Sequence, residues 1–270
     1  MYNIHLGVRA VLIGLLVVAA SFIPRRASAY EDYTSPRNAD VSASGAKSVR
    51  IEAAAGILRV EGRSGMNEVR VRGTARAERR NRLDDIKLIA ERRGDEIFIK
   101  ADMPEWRDRG WYDRDNDNVA LDLVIEVPTS LHLDVGDGSG EAEFNNTGSL
   151  ELGDGSGEIL IRNARGDVRV SDGSGNITIE GVEGSVRVND GSGNIRARNV
   201  TGNFVVSDDG SGEIDVSSIG GTVRVENDGS GNIDVDRVTG DFVVDHDGSG
   251  SISYATVKGS VRIPERKRRN

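Results

Sequence analysis

The chain has 270 residues, with 35 Lys and Arg against 44 Asp and Glu and a formal net charge of −9. It contains no Cys, which excludes disulfide bridges, Cys-ligated zinc, iron–sulfur clusters and thiol nucleophiles. Its 34 Gly are roughly twice the ordinary share, yet Gly and Pro together stay below the level typical of low-complexity disorder.

The first 29 residues have the features of a secretory signal peptide. The short N-terminal segment of residues 1–9 precedes an apolar run over residues 10–23. The small residues Ala27-Ser28-Ala29 then form a candidate cleavage site. The apolar run is shorter than the roughly 20 residues needed to span a bilayer. We therefore predict a signal peptide over residues 1–29, no membrane span in the mature chain, and export to the periplasm, the cell surface or the extracellular space.

The next two segments differ in their patterning. Residues 30–44 are polar, and we predict a flexible lead-in. Residues 45–130 contain alternating apolar segments, such as Val49-Arg50-Ile51, separated by glycines. This pattern predicts an irregular β-rich N-terminal part of one wound sheet, in which residues 79–85 form the only stretch with helical character.

A polar loop near residue 110 holds both Trp of the protein. Trp106, Trp111 and Tyr112 lie among Arg and Asp residues. Exposed aromatic rings beside Arg are typical of contacts with a partner or a sugar ring, so these three are candidate partner-binding residues. The alternative is that the rings pack against the side of the fold. Residues 113–118 begin like a calcium-binding EF-hand loop but lack its Gly and its final Glu, which favours a solvated loop.

An Asp-Gly-Ser-Gly motif recurs seven times after residue 130. Its Asp residues, spaced 17 to 19 positions apart, are Asp137, Asp154, Asp172, Asp190, Asp209, Asp228 and Asp247. Between the motifs, apolar residues alternate with polar ones, which indicates short strands. A unit of this length cannot close a core alone and must stack on its neighbours. The sequence therefore predicts an all-β fold, a single-chain parallel β-solenoid (β-helix or β-roll) with 18–19-residue coils, regular over residues 131–263.

The change from 18 to 19 residues per coil falls just before the Asp, as in Ser207-Asp208-Asp209. A one-residue slip inside a strand would turn its buried face outward. We therefore expect the extra residue to be absorbed at the corner, with the apolar columns unchanged.

Two passages resemble a known family. They are Ile125-Glu126-Val127-Pro128-Thr129 and tandem coils such as Gly173-Ser174-Gly175-Asn176-Ile177-Thr178-Ile179. Over roughly residues 45–263 they are similar to the bacterial putative adhesin domains. The resemblance implies an exported or membrane-tethered envelope protein with tandem β-coils. It implies no catalytic residues, because the family has none that are agreed.

The repeated corners allow two interpretations. In the structural one, each Asp accepts the backbone N–H two residues on, and the glycines adopt positive φ. In the other, stacking brings the seven Asp carboxylates within roughly 5 Å of their neighbours, and such oxygen ligands suit Ca²⁺. The calcium-binding repeat of β-rolls places its Asp after the glycines, so the motif does not match. Ca²⁺ bound by the seven Asp is thus the only candidate cofactor that the sequence indicates.

Isolated histidines argue against an enzyme, because neither His132 nor His246 has an evident partner and the seven corner Ser lack a base. Residues 131–259 contain 9 Lys and Arg against 23 Asp and Glu, which disfavours binding to nucleic acid. The basic residues 264–270 either cap the solenoid or tether it to anionic envelope polymers.

The sequence thus predicts an exported, monomeric, non-enzymatic interaction module of the cell envelope or surface, with a polymer or a protein as its partner. Two alternatives remain at this stage. One is a Ca²⁺-dependent structural envelope protein, and the other is a glycan-acting β-helix enzyme.

Overall fold

The computed structural model describes residues 32–103 and 118–265. The predicted signal peptide, the aromatic residues Trp106, Trp111 and Tyr112, and residues 266–270 of the basic segment lie outside these ranges. No helix in the described ranges is long and apolar enough to cross a membrane.

Within these ranges the chain forms 22 strands and one short 3₁₀ helix, Arg80–Asp85. The strands of the first half are β1 (Tyr33–Ser42), β2 (Ser48–Glu52), β3 (Leu58–Arg63), β4 (Glu68–Ala77), β5 (Lys87–Arg93), β6 (Glu96–Asp102) and β7 (Val119–Pro128). Those of the repeats are β8 (His132–Asp137), β9 (Gly140–Asn145), β10 (Leu150–Asp154), β11 (Gly157–Ala164), β12 (Val168–Asp172), β13 (Ile177–Val182), β14 (Val186–Asp190), β15 (Ile195–Val200), β16 (Phe204–Asp209), β17 (Ile214–Ile219), β18 (Val223–Asp228), β19 (Ile233–Val238), β20 (Phe242–Asp247), β21 (Ile252–Val257) and β22 (Val261–Arg262).

The strands form two 11-stranded sheets, and from β8 onward the chain alternates between them. Sheet A has the order β1-β4-β7-β3-β9-β11-β13-β15-β17-β19-β21, and sheet B has the order β22-β20-β18-β16-β14-β12-β10-β8-β2-β6-β5. Each coil of the repeats therefore contributes one strand to each sheet. Neighbouring repeat strands pair in parallel, which confirms the predicted β-solenoid.

The register aligns like residues of successive coils. Val168 of β12 pairs with Val186 of β14, which pairs with Phe204 of β16. Side chains alternate between the two faces of a strand, so these residues form columns that fill the space between the sheets. Phe144, Phe204 and Phe242 are the largest of the fully buried side chains. Burying one of them contributes about 1.5–3 kcal/mol.

A residue with positive φ bends the sheet A strands of the repeats. Asn163, for example, has φ 55°, and the next residue, Ala164, returns to the core. The others are Asn146, Asn199, Ser218, Arg237, Thr256 and Gly181. Most of these strands therefore bury one more apolar residue after a local bend, as β11 does with Ala164.

The extra residue of the 19-residue coils lies at the corner, as predicted. The pairing of β14 with β16 shifts by one residue after Val188, so Asn189 pairs with Asp208. Ser207 is the inserted residue, and Val206 and Asp209 both remain buried. The insertion thus leaves the apolar columns intact.

The lead-in predicted to be flexible is instead a strand over residues 33–42. Here β1 pairs antiparallel with β4, with Val41 opposite Val69. The Arg37 guanidinium fixes it further by donating to the carbonyls of Leu83, at 2.6 Å, and Ile86, at 2.9 Å. The prediction of a flexible segment is wrong because β1 is an edge strand with one face half-exposed, where polar residues can alternate within a strand.

The N-terminal part is more than an irregular continuation of the coils. Strands β2 and β3 join the parallel stack, whereas β4 pairs antiparallel with β7 and β5 with β6. The antiparallel strands lie at the ends of the two sheets, where β1 and β5 are the edges. They close the N-terminal end of the solenoid.

The last described coil is less buried than the equivalent positions of the coils before it. Tyr254 is 50% exposed although it pairs with Val235, which is buried. No strand in the described ranges stacks on the far side of β21, so its inward face is covered from one side only. The Tyr254 ring still contacts Phe242, with ring centroids 5.9 Å apart.

Candidate functional site

The Asp-Gly-Ser-Gly motifs form one corner of the solenoid, where the sheet B strands end. Their Asp residues pair in register from coil to coil, and we call them the aspartate ladder: Asp137, Asp154, Asp172, Asp190, Asp209, Asp228 and Asp247. Each follows a core valine or leucine by two residues or, where the strand bulges, by three. The first six are only 2–8% exposed, so the ladder faces the interior.

Backbone amides of the corner hold some of these carboxylates. Asp172 Oδ1 accepts the N–H of Ser174 at 3.1 Å, and Asp190 Oδ1 accepts that of Ser192 at 3.1 Å. This confirms the structural interpretation at these two corners. Asp137 instead accepts the adjacent N–H of Gly138, at 2.8 Å.

Many ladder oxygens remain without a hydrogen-bond partner among the described residues. Asp137, Asp172 and Asp190 each have one such buried oxygen, Oδ2. In Asp154, Asp209 and Asp228 both oxygens lack one. Leaving a buried polar atom unpaired costs about 1–3 kcal/mol, and more for a charge. The ladder is therefore costly when all of its carboxylates are ionised.

Burial raises the pKa of the ladder carboxyls. It raises the pKa of Asp209 to about 7, and the charges of Asp190 and Asp228 add to the effect. The pKa values of Asp137, Asp172 and Asp228 rise to about 6, again chiefly through burial. Those of Asp154 and Asp190 are raised by the same cause.

The two glycines of each corner are required for different reasons. Gly193 has φ +141°, and a Cβ there would overlap the carbonyl oxygen of Gly175 in the preceding coil. Gly173, a first glycine, has no positive φ, but its Cβ would come within 2.6 Å of Gly155 O. The prediction that both glycines adopt positive φ is therefore wrong for the first glycine. That glycine is required because the coils stack too closely to leave room for a Cβ.

The described ranges contain no group of three or more His, Asp or Glu side chains placed to hold a metal ion. The assignment of Ca²⁺ to the ladder aspartates stays a prediction. Trp106, Trp111 and Tyr112, the predicted partner-binding residues, lie outside the described residues and also remain a prediction.

A shallow groove of about 550 Å³ crosses the outer face of sheet B. We call it the sheet B groove. Its floor contains Gly136, Gly153, Ser171 and Asn189, and its wall contains Arg50, Asp134, Glu151, Arg169 and Arg187. A Cβ added at Gly136 or Gly153 would meet nothing within 4 Å, so the two glycines leave a depression where other coils carry side chains.

The charged groups of the groove differ in how they are paired. Arg50 forms an ion pair with Asp134 at 2.5 Å, and Arg187 donates to Ser207 Oγ at 2.7 Å. Arg169 is exposed and has no hydrogen bond or ion pair to the described part of the chain. Its guanidinium is therefore available to a ligand.

The sequence contains a sign of this groove on the first strand of each coil. There, Gly136 and Gly153 stand directly before the corner Asp, in the position that Ser171 and Asn189 take in the next coils.

One histidine is not isolated as predicted. His132 Nδ1 lies 2.8 Å from Ser149 Oγ. The pair begins a polar column that precedes the sheet B strands, in which side chains bind the next coil: Asp167 Oδ1, for example, accepts the N–H of Ser185 at 2.8 Å. No third side chain in the described ranges is hydrogen-bonded to His132. The contact is thus part of the coil stacking and not a catalytic triad.

Comparisons with known proteins concern the fold. No family model matches the sequence, and no curated protein matches it. Similar solved structures include a putative cell adhesion protein from Clostridium sporogenes, at 11% identity and a TM-score of 0.34, covering 86% of this chain and 99% of that one. A putative adhesin from Bacteroides fragilis has 14% identity and a TM-score of 0.42, with 85% and 96% covered. A putative lipid binding protein from Parabacteroides distasonis has 14% identity and a TM-score of 0.32, with 85% and 97% covered.

The fold assignment itself rests on the strand pairing of the two sheets.

Proposed function

We propose that the protein is an exported, non-enzymatic interaction module of the cell envelope or surface, of the adhesin type, and that the sheet B groove is its contact surface. The observation that supports this most is the open depression at Gly136 and Gly153 beside Arg169, whose guanidinium has no partner among the described residues. An exposed polar depression with a free charged group is suited to contact with a partner.

In the described ranges, the outer face of sheet A is less suited to binding. On the outer face of sheet A, Arg162 pairs with Glu143 at 3.0 Å and Arg198 with Asp215 at 3.6 Å. Such pairs neutralise the face and contribute little energy. The two sheets provide a stiff support, since each strand inside a sheet is hydrogen-bonded to two neighbours, and a binding surface on rigid strands keeps its shape.

The chemistry of the groove indicates the kind of partner. Arg169 and Ser171 offer hydrogen-bond donors, and Glu151 and Asn189 offer acceptors, while no aromatic residue lines the groove in the described ranges. From β2 to β14 the groove crosses five adjacent strands, which span about 20 Å at the usual strand spacing. An extended, hydroxyl-rich polymer of the envelope matches this length and this mixture of groups.

Two observations support the non-enzymatic assignment. The largest set of carboxylates with raised pKa values is buried inside the solenoid, away from the groove. Asp134, the groove carboxylate beside Glu151, is held by Arg50 at 2.5 Å. A glycan-acting enzyme would need a pair of accessible carboxyl groups, one of them with a raised pKa.

A Ca²⁺-dependent structural role is the second candidate. The unpaired oxygens of Asp154, Asp209 and Asp228 favour it, because buried carboxylates require a proton or a cation.

The test is binding of the purified protein to envelope polymers isolated from the native cell, measured by co-sedimentation. Gly153→Trp places a large side chain in the depression, at a position where a Cβ meets nothing within 4 Å, and Thr178→Trp, on the outer face of sheet A, is the matched control. We expect Gly153→Trp to lose binding and Thr178→Trp to keep it. Equal binding by both variants would assign the contact to another surface, and absence of any binding by the wild type would contradict the proposal.

A further inference from the structure

We propose that the aspartate ladder is a proton-sharing column, in which neighbouring buried carboxyl groups hold protons between them and the solenoid takes up protons when it folds. This inference is independent of the proposed contact function. It concerns what compensates the charge of carboxyl groups inside the fold.

The geometry brings like groups together. Asp154 pairs in parallel register with Asp137 on one side and with Asp172 on the other. Parallel strands lie about 4.8 Å apart, so carboxyl groups of successive coils are within reach of each other. Both oxygens of Asp154, Asp209 and Asp228 lack a hydrogen-bond partner among the described residues, so they are open to a neighbouring carboxyl group. A hydrogen bond between two carboxyl groups requires a proton on one of them, because an ionised carboxylate only accepts.

No basic side chain of the described ranges neutralises the six buried members. In the described ranges, no Lys, Arg or His forms an ion pair with Asp137, Asp154, Asp172, Asp190, Asp209 or Asp228. An isolated buried carboxylate is strongly disfavoured, and the group then changes its protonation instead. Six buried carboxylates in one file would repel each other as well.

The surroundings of the ladder contain little else that titrates. The corner that follows each Asp is Gly-Ser-Gly. At the N-terminal end of the ladder, Glu52 of β2 pairs with Gly136 of β8, and the next residue of β2 is the uncharged Ala53. Three glutamates begin the adjoining sheet A strands, and all of them are at least partly exposed: Glu141, Glu158 and Glu213. On the sheet B side the neighbouring charged residues Asp208 and His246 are exposed. The charges that raise the pKa of Asp172 and Asp209 are those of their ladder neighbours.

The direction of the pH dependence follows from the raised pKa values. A ladder carboxyl with a folded-state pKa of about 6 to 7 and an unfolded value of 3.8 binds its proton more tightly in the fold. Its contribution to stability is complete below pH 4 and is lost as the pH rises through 6 to 7. Exposed carboxylates with lowered pKa values, such as Asp40 beside Arg72, have the opposite effect on stability. Their contribution is lost as the pH falls, and only below about pH 4.

The experiment is urea unfolding of the purified protein, followed by far-ultraviolet circular dichroism between pH 5 and pH 8. Since histidine changes charge in this range, all variants carry His132→Gln and His246→Gln. Asp209→Asn removes one ladder carboxyl and keeps its shape, and Asp208→Asn, the exposed neighbour, is the matched control.

We expect the unfolding equilibrium constant of the parent to rise by at least about 100-fold from pH 5 to pH 8, with proton release on unfolding. Asp209→Asn should show a weaker rise and be at least as stable as the parent at pH 8, whereas Asp208→Asn should behave as the parent. A parent with no such rise would overturn the proposal.

Two further measurements keep the test decisive if Asp209→Asn fails to fold. Infrared absorption of the folded protein at pH 6, where exposed carboxyl groups are ionised, should show protonated carboxyl groups, and their absence would overturn the proposal. Millimolar Ca²⁺ should leave the stability at pH 8 unchanged relative to an ionic-strength control. A Ca²⁺-specific gain in the parent would show that the ladder holds cations and not protons.

Discussion

The stacking of the coils depends on the second glycine of each corner, and Gly193→Ala is the sharpest perturbation of it. The new methyl group would overlap the carbonyl oxygen of Gly175, and φ +141° is itself unfavourable for alanine. To make room, the coils containing Gly175 and Gly193 must separate. This would stretch the bond from Gly175 N–H to Ser192 O, now 2.9 Å, and that from Ile177 N–H to Asn194 O, also 2.9 Å.

The size of the effect can be worked out from these contacts. The backbone conformation costs about 1–3 kcal/mol. Each of the two stretched hydrogen bonds adds about 1–3 kcal/mol when its groups are left unpaired. We therefore expect Gly193→Ala to lower the free energy of unfolding by at least about 3 kcal/mol.

Two other glycines separate these contributions in the same assay, urea unfolding followed by circular dichroism. Gly65 has φ +75° and open space around its Cα, so Gly65→Ala should cost about 1–2 kcal/mol for the conformation alone. Gly153 has neither feature, and Gly153→Ala should change stability by less than about 0.5 kcal/mol. A Gly193→Ala variant as stable as Gly65→Ala would refute the role assigned to coil contact.

Three further predictions follow from single contacts. Phe204→Ala removes a fully buried ring and should cost about 3–5 kcal/mol in chemical denaturation. Asp167→Ala removes the acceptor of the Ser185 N–H at an exposed corner, and should cost about 0.5–1.5 kcal/mol in the same assay. Arg169→Ala should leave the melting temperature unchanged, because the guanidinium has no partner in the described ranges, yet it should weaken co-sedimentation with envelope polymers. An Arg169→Ala protein that binds as the wild type does would remove this residue from the contact surface.

The repeat region could be predicted from the sequence because its spacing and its apolar columns agree. Val168, Val186 and Phe204 recur at one position, and only parallel stacking in register buries all three. The position of the insertion outside the apolar part of β16 was predictable for the same reason, since an extra residue between Phe204 and Val206 would turn Val206 outward.

The N-terminal closure could not be predicted in the same way. Strand β1 alternates between polar and small residues, so its pairing with β4 depends on long-range contacts such as that of Arg37 with Leu83. Strand direction is also not encoded in alternation. The pattern of β4 is compatible with either direction, and only its partner β7 decides it.

The candidate sites show a similar division. The Asp-Gly-Ser-Gly motif indicates where the ladder lies. It does not by itself show that Asp172 points inward, which follows from its spacing of two residues after the buried Val170. The sheet B groove depends on the absence of side chains at Gly136 and Gly153, and the sequence indicates it only because these glycines occupy the register position of Ser171 and Asn189.

The central claim is that the outer face of sheet B contacts an envelope partner in the cell. A photo-activatable amino acid replacing Ser171, on the groove floor, tests it most directly, with a replacement of Thr178 on sheet A as the control. Our account predicts that irradiation of living cells gives a discrete adduct from position 171 and little from position 178. Adducts of equal yield at both positions, or at 178 alone, would contradict it.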